Sequence, residues 1–186
     1  MTICLASTDR EIQEIRDLQE ANLKDNIPLE NRLSDGFLTA KYELDFLREM
    51  NDLTPAIIAK EKGVLVGYAL ATNRSMLTQH PLLNDLGAQI NKIPFGGKLI
   101  GDYDYLVVGQ LCVAKEVRGR GLAKDLYTHF RANYERHFAF AVTDVDRDNL
   151  ASLTTHLKVG FQVVSVLQYG GSNWHVVVWD WRKSQK

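Results

Sequence analysis

The sequence predicts one mixed α/β domain spanning 1–186, a central mixed β-sheet with helices on both faces. Three observations predict it. Apolar runs of strand length alternate with segments whose apolar residues recur every three or four positions. Two pairs of such runs, at 56–72 and 161–181, enclose short glycine-bearing turns and read as antiparallel hairpins. Between them, residues 106–130 pass from an apolar strand through a basic turn into a helix carrying Leu122, Leu126 and Phe130 one turn apart.

Each element has its own signal. Residues 3–6 form a short apolar edge strand, and Ser7 or Thr8 caps a helix carrying Ile12, Ile15, Leu18 and Leu23. The polar stretch 24–35, with Pro28, reads as loop. Gly36, Phe37 and Leu38 introduce a second helix through Leu44, Phe46, Leu47 and Met50, which ends before Pro55. Glu61, Lys62 and Gly63 join the strands of the first hairpin. From 73 to 104 the pattern dissolves into glycines, prolines and amides, a long excursion with one helix near 82–86. After the central helix, which ends near His137, residues 138–145 are a strand. Asn149 opens a helix through Leu150, Leu153 and Leu157 that Gly160 closes. The last two strands flank a turn at 170–173, and a short charged tail follows.

A chain of 186 residues that is 45% hydrophobic and 24% charged fills one core and is short for two domains. Its 22 Lys and Arg offset 23 Asp and Glu, so no bulk field draws it to nucleic acid or an anionic membrane. No apolar run approaches the ~18 residues of a membrane span and no basic leader opens the chain, which makes a soluble, cytoplasmic protein the expectation. Cys4 and Cys112 lack CxxC or His-rich spacing, so neither a disulfide framework nor a zinc site is expected. Cys112 reads as a small buried hydrophobe, with a catalytic thiol as the other reading.

The turn at 118–124 reads as an anion site. A helix that starts directly from a strand leaves backbone N–H groups unpaired and pointing one way, and Gly119 and Gly121 let an anion approach the main chain. Arg118, Arg120 and the helix dipole add attraction. Two nucleotide motifs are absent. Gly97 and Lys98 are followed by Leu99 where a Walker loop needs Ser or Thr, and Lys124 stands where GxGxxG needs its last glycine.

What the turn does match is R/Q-x-x-G-x-G/A, as Arg118, Gly121 and Ala123. Here the chain resembles the GNAT superfamily of acyl-CoA-dependent N-acyltransferases. A second motif of that family, N-x-x-A-x-x-L-Y-x-x-x-G-F, has Asn149, Ser152, Gly160 and Phe161 in register, with Thr155 and His156 replacing leucine and tyrosine. The order of elements resembles the GNAT fold over almost the whole chain.

The resemblance implies acetyl-CoA as acyl donor and a small-molecule or peptide amine as acceptor, with no metal. It implies that backbone groups of Leu111, Cys112 and Val113 align the pantetheine and that the Val113 N–H polarises the thioester carbonyl. Arg118, Gly119, Arg120, Gly121, Leu122, Ala123 and Lys124 would hold the pyrophosphate, while Asn149 and Ser152 line the pantetheine arm. His156, in the tyrosine's place beside the coenzyme sulfur, becomes the candidate acid, with Tyr127 or water as substitutes. The family often carries a carboxylate early in the fourth strand, where this chain has Val107. Asp104 just upstream is therefore the first candidate base and Asp146 the second. Phe37, Leu38 and Tyr105 are the candidate acceptor walls. A non-catalytic acyl-CoA-binding regulatory module is the alternative reading, and the exposed last strands offer an edge for a homodimer.

Overall fold

Thr8 sets the entry of the chain into its first helix. Its hydroxyl accepts the Glu11 N–H, and the Glu11 carboxylate accepts the N–H groups of Ser7 and Thr8, a reciprocal cap. The Lys60 ammonium bonds the same carboxylate at 2.8 Å and ties this helix start to the sheet.

The protein is described here by a computed structural model covering residues 1–169 and 171–182, without the side chains of Leu82 and Tyr169. Gly170 of the expected last turn and the charged tail at 183–186 lie outside the described residues. The elements are β1 Thr2–Leu5, α1 Asp9–Ala21, α2 Arg32–Asp35, α3 Leu44–Leu53, β2 Ile57–Glu61, β3 Val64–Thr72, α4 Arg74–Leu77 and α5 Pro81–Ile90. A two-stranded pair follows, β4 Pro94–Phe95 with β5 Lys98–Leu99. Then come β6 Tyr105–Val113, α6 Leu122–Tyr134, β7 Phe140–Asp146, α7 Leu150–Val159, β8 Gln162–Tyr169 and β9 Ser172–Asp180.

Seven strands make one mixed sheet in the order β1-β2-β3-β6-β7-β9-β8. The expected hairpins are there: Lys62 (φ 52°) and Gly63 (φ 82°) make the left-handed turn between β2 and β3. The excursion at 73–104 holds two helices and a strand pair, more structure than its composition showed. Residues 36–42, expected to lead directly into a helix, are instead an extended strap tied to the end of α1 by Leu38 N–H to Asn22 O at 2.9 Å and Lys24 N–H to Leu38 O at 2.8 Å.

Side chains of a strand alternate between faces, so the sheet carries two cores. Tyr68, Leu70, Val107, Val142 and Val178 pack on one face with Ile15 of α1, Leu47 and Met50 of α3, and Leu83 and Leu86 of α5. Ala69, Leu106, Ala141 and Val177 pack on the other with Leu122, Leu126 and Phe130 of α6. The register of β3 against β6 slips between Leu70–Gln110 and Ala71–Val108, which leaves Gly109 as the extra residue of a bulge. A Cβ there would meet the Met50 methyl at 3.0 Å.

Candidate active site

The parallel strands β6 and β7 stay together for three residue pairs, Tyr105–Val107 against Phe140–Val142, and then part. Thr143 stands at the fork, where its hydroxyl donates to the Val108 carbonyl at 2.9 Å. Past the fork β6 keeps only β3 as neighbour. The Ala114 N–H donates to Val66 O at 2.8 Å, and alternate residues of a strand point the same way, so the N–H groups of Leu111 and Val113 turn from β3 into the fork. A cavity of about 530 Å³ occupies it.

The turn after β6 closes one end of that cavity. Gly119 (φ 76°) and Gly121 (φ 85°) are left-handed, and a Cβ on either would meet nothing within 4 Å. Backbone torsion thus calls for these glycines, and the space before the main chain stays open. The N–H groups of Gly119, Arg120, Gly121, Leu122 and Ala123 have no acceptor among the described residues, whereas Lys124 N–H is held by Gly121 O at 2.9 Å. No side chain caps α6, so these amides and the positive end of a 13-residue helix converge on one spot.

The two arginines of the turn are spent elsewhere. Arg118 donates from Nε to Val113 O at 2.9 Å and from its two terminal nitrogens to Asp35 O at 2.9 Å and Asn22 Oδ1 at 2.6 Å. It knots the turn to both ends of the 22–35 segment. Arg120 is exposed, donates to Glu116 O at 2.9 Å and lies 3.7 Å from Glu61, off the cavity wall. Lys124 lines the cavity and has no ion-pair partner among the described residues.

Asn149 is both a cap and a clasp. Its Oδ1 accepts the Ser152 N–H at 3.2 Å, and its Nδ2 donates to Phe37 O at 2.7 Å, which fastens the strap across the mouth of the fork. Gly36 (φ 70°) lets the strap pass, because a Cβ there would come within 3.0 Å of Asn149 Oδ1. Lys24 closes the other side, 3.0 Å from Asp146 and 4.7 Å above the Phe37 ring.

The pattern of the acetyltransferase (GNAT) family matches residues 15–161. The chain belongs to the GNAT family. No curated protein matches it in sequence. Its fold is similar to that of smu.2055 from Streptococcus mutans, with TM-score 0.67 and 15% identity over 97% of this chain and 99% of that one. It is also similar to yncA, a putative acetyltransferase from Salmonella typhimurium solved with acetyl-CoA (0.63, 18% identity, 97% and 94% covered). A ribosomal-protein-alanine N-acetyltransferase from Brucella melitensis is a third (0.60, 18% identity, 96% and 98% covered).

The GNAT motif residues gather as the sequence places them, with changes in what each can do. Leu111, Cys112, Val113, Leu122, Ala123, Asn149, Ser152 and His156 all line the cavity, as do Phe37 and Leu38. The Cys112 side chain faces the core, where burial pushes its thiol up to about 12, so it is no nucleophile. His156 is buried, and burial lowers its imidazole to about 4 against a hydrogen bond to Ser152 O. That carbonyl only accepts, so Nδ1 carries the proton at 2.8 Å and Nε2 must accept the Tyr127 hydroxyl at 2.7 Å. The ring is neutral with no proton to spare, which corrects its expected role as acid. Tyr127 is no substitute, since burial pushes its hydroxyl well above 10.0 and it already donates to His156.

Asp104 and Tyr105 are not brought to the cavity. Asp104 is exposed at the start of β6, seven residues or roughly 23 Å of strand from Leu111. Tyr105 is buried with its hydroxyl donating to Asn91 Oδ1 at 2.8 Å. Asp146 does line the cavity, but its oxygens are taken by Lys24 and the Asp148 N–H. The acid that sequence reasoning missed is Asp144, on the cavity wall beside the fork. A carboxylate inside the strand, on the same face as Phe140 and Val142, was its signal. Asn22, Asp35 and Tyr42, which no motif marks, complete the walls.

Proposed function

We propose that the chain is an acetyl-CoA-dependent N-acetyltransferase that acylates a primary amine of a small molecule or peptide by direct attack in a ternary complex in the cytoplasm. The observation that carries this reading is the continuity of unpaired amides: five at the turn, then Val113 and Leu111 along the fork. A diphosphate at the turn and an extended amide-bearing arm along β6 would satisfy both sets. Family membership and the likeness to a structure solved with acetyl-CoA support the same donor.

In this mechanism the amides of 119–123 and the Lys124 ammonium hold the pyrophosphate. The Val113 N–H, next to the turn, bonds the pantetheine, and the Leu111 N–H, one strand repeat nearer Asp144, polarises the thioester carbonyl. A fixed donor aimed at a developing oxyanion contributes about 3 kcal/mol. Asp144 takes a proton from the incoming ammonium, and the departing thiolate is protonated by water, since His156 and Tyr127 have no proton to give. Holding both reactants in one fork supplies much of the acceleration.

The alternative, a non-catalytic acyl-CoA-binding module, is favoured by the commitment of His156. Titration calorimetry with coenzyme A, followed by thiol release from acetyl-CoA with and without mixed primary amines, separates the two. Binding together with amine-dependent thiol release is the expected result. Binding with no release selects the module, and no binding removes both readings.

A further inference from the structure

We infer that Lys158 seats the 3′-phosphate of the donor and makes the protein select coenzyme A thioesters over their 3′-dephospho forms, an inference that rests on the donor named above. Coenzyme A carries two kinds of phosphate. Its pyrophosphate is an internal bridge, whereas the 3′-phosphate is a terminal monoester carrying about two negative charges at neutral pH. The five amides of the turn, the positive end of α6 and Lys124 answer the bridge. The arginines of the turn do not answer the monoester. Arg118 is tied to Val113 O, Asp35 O and Asn22 Oδ1, and Arg120 lies 3.7 Å from Glu61 on the flank of the first hairpin.

With the pyrophosphate at the turn and the pantetheine in the fork, the nucleotide end of the donor must leave the turn away from the fork. The cavity wall continues in that direction along α7, through Ala151, Thr155 and Lys158. Spacings of four and three put these residues on one stripe of the helix. Thr155 is no donor to a phosphate, because its hydroxyl already donates to Ala151 O at 2.9 Å. Lys158 is exposed and has no ion-pair partner among the described residues, and the positions three and four before it hold Thr155 and Thr154 rather than an acid.

The charges around the cavity point the same way. The acids on its wall, Asp35, Asp144 and Asp146, come from the end of α2 and from β7, not from α6 or α7. On the other flank of the turn Glu61 offsets Arg120. A dianion beside the turn therefore meets uncompensated positive charge on the α6–α7 side, where Lys124 faces the bridge and Lys158 is left for the monoester. A lysine suits this task, since its ammonium is a point charge on a flexible stem and reaches a terminal phosphate from many directions.

Titration calorimetry of the full chain with coenzyme A and with 3′-dephospho-coenzyme A tests this. The intact protein should bind coenzyme A about tenfold more tightly, the lower end for a hydrogen bond between charged groups, and the preference should shrink as salt is raised. Lys158→Gln should erase the preference through a loss confined to coenzyme A, and Lys158→Arg should restore most of it; binding of the dephospho form reports that each variant folds. Lys124→Gln should weaken both donors in the same proportion. Equal affinity of the intact protein for the two donors, or a Lys158→Gln loss shared by both, would overturn the seat and leave the acyl-CoA reading standing. Binding of neither donor would remove both.

Discussion

His156 shows how a motif position can keep its place and lose its chemistry. The sequence puts it where the family has tyrosine, and the structure keeps it at the cavity wall, but hydrogen bonding to Ser152 O and Tyr127 fixes its one proton. Neither bond is legible in sequence, because Tyr127 comes from another helix. The folded ring takes up a proton only near pH 4, the unfolded one near 6.5. Between these values the unfolded chain binds more protons, so stability is complete above 6.5 and falls as pH drops towards 4. Urea unfolding across that range should show this loss, and His156→Gln should flatten it. His156→Phe should cost about 1–3 kcal/mol by orphaning the Tyr127 hydroxyl, with partial recovery in His156→Phe/Tyr127→Phe. Turnover should show no limb from His156 in its pH profile. Asp144→Asn, by contrast, should lower kcat by about 10²–10⁴ and abolish the acidic limb while the affinity for acetyl-CoA holds.

The strand–turn–helix unit was the most legible element, because glycines between an apolar run and a helical period have few other readings. The roles of its arginines were not legible. Arg118 looked like an anion ligand by type, yet its guanidinium is a three-way tie between β6, the end of α1 and the end of α2. Arg118→Lys keeps the charge but loses the planar fork. It should loosen the strap and raise the acceptor KM about tenfold or more, with coenzyme A affinity changed far less; an equal loss of both would return Arg118 to the anion. Gly121→Ala meets no neighbour but forces an L-residue to φ 85°. A stability cost of about 1 kcal/mol and weaker coenzyme A binding are expected, measured by thermal unfolding and calorimetry. The strap itself escaped the sequence because extended backbone held by three distant side chains, Asn149 at Phe37 O, Gln110 at Ala40 O and Gln19 at the Tyr42 N–H, carries no periodicity.

Taken whole, the molecule is two half-sheets, β1-β2-β3-β6 and β7-β9-β8, joined by a short parallel seam. The mixed sheet and its hairpins could be read from the sequence, but the insertion of β9 between β7 and β8 could not be read from turn residues. A cue lay in the run of Val176, Val177 and Val178, buried on both faces as an internal strand requires, while Val163 and Val166 of β8 are exposed at the edge. The fork exists because the halves part after Val107, and the unpaired amides follow from that parting. Amide hydrogen exchange with and without coenzyme A reads those groups one by one. Selective slowing at Leu111, Val113 and 119–123, with Tyr105–Val107 protected from the outset, is the expected result; unchanged exchange at the turn and fork with saturating coenzyme A would contradict it.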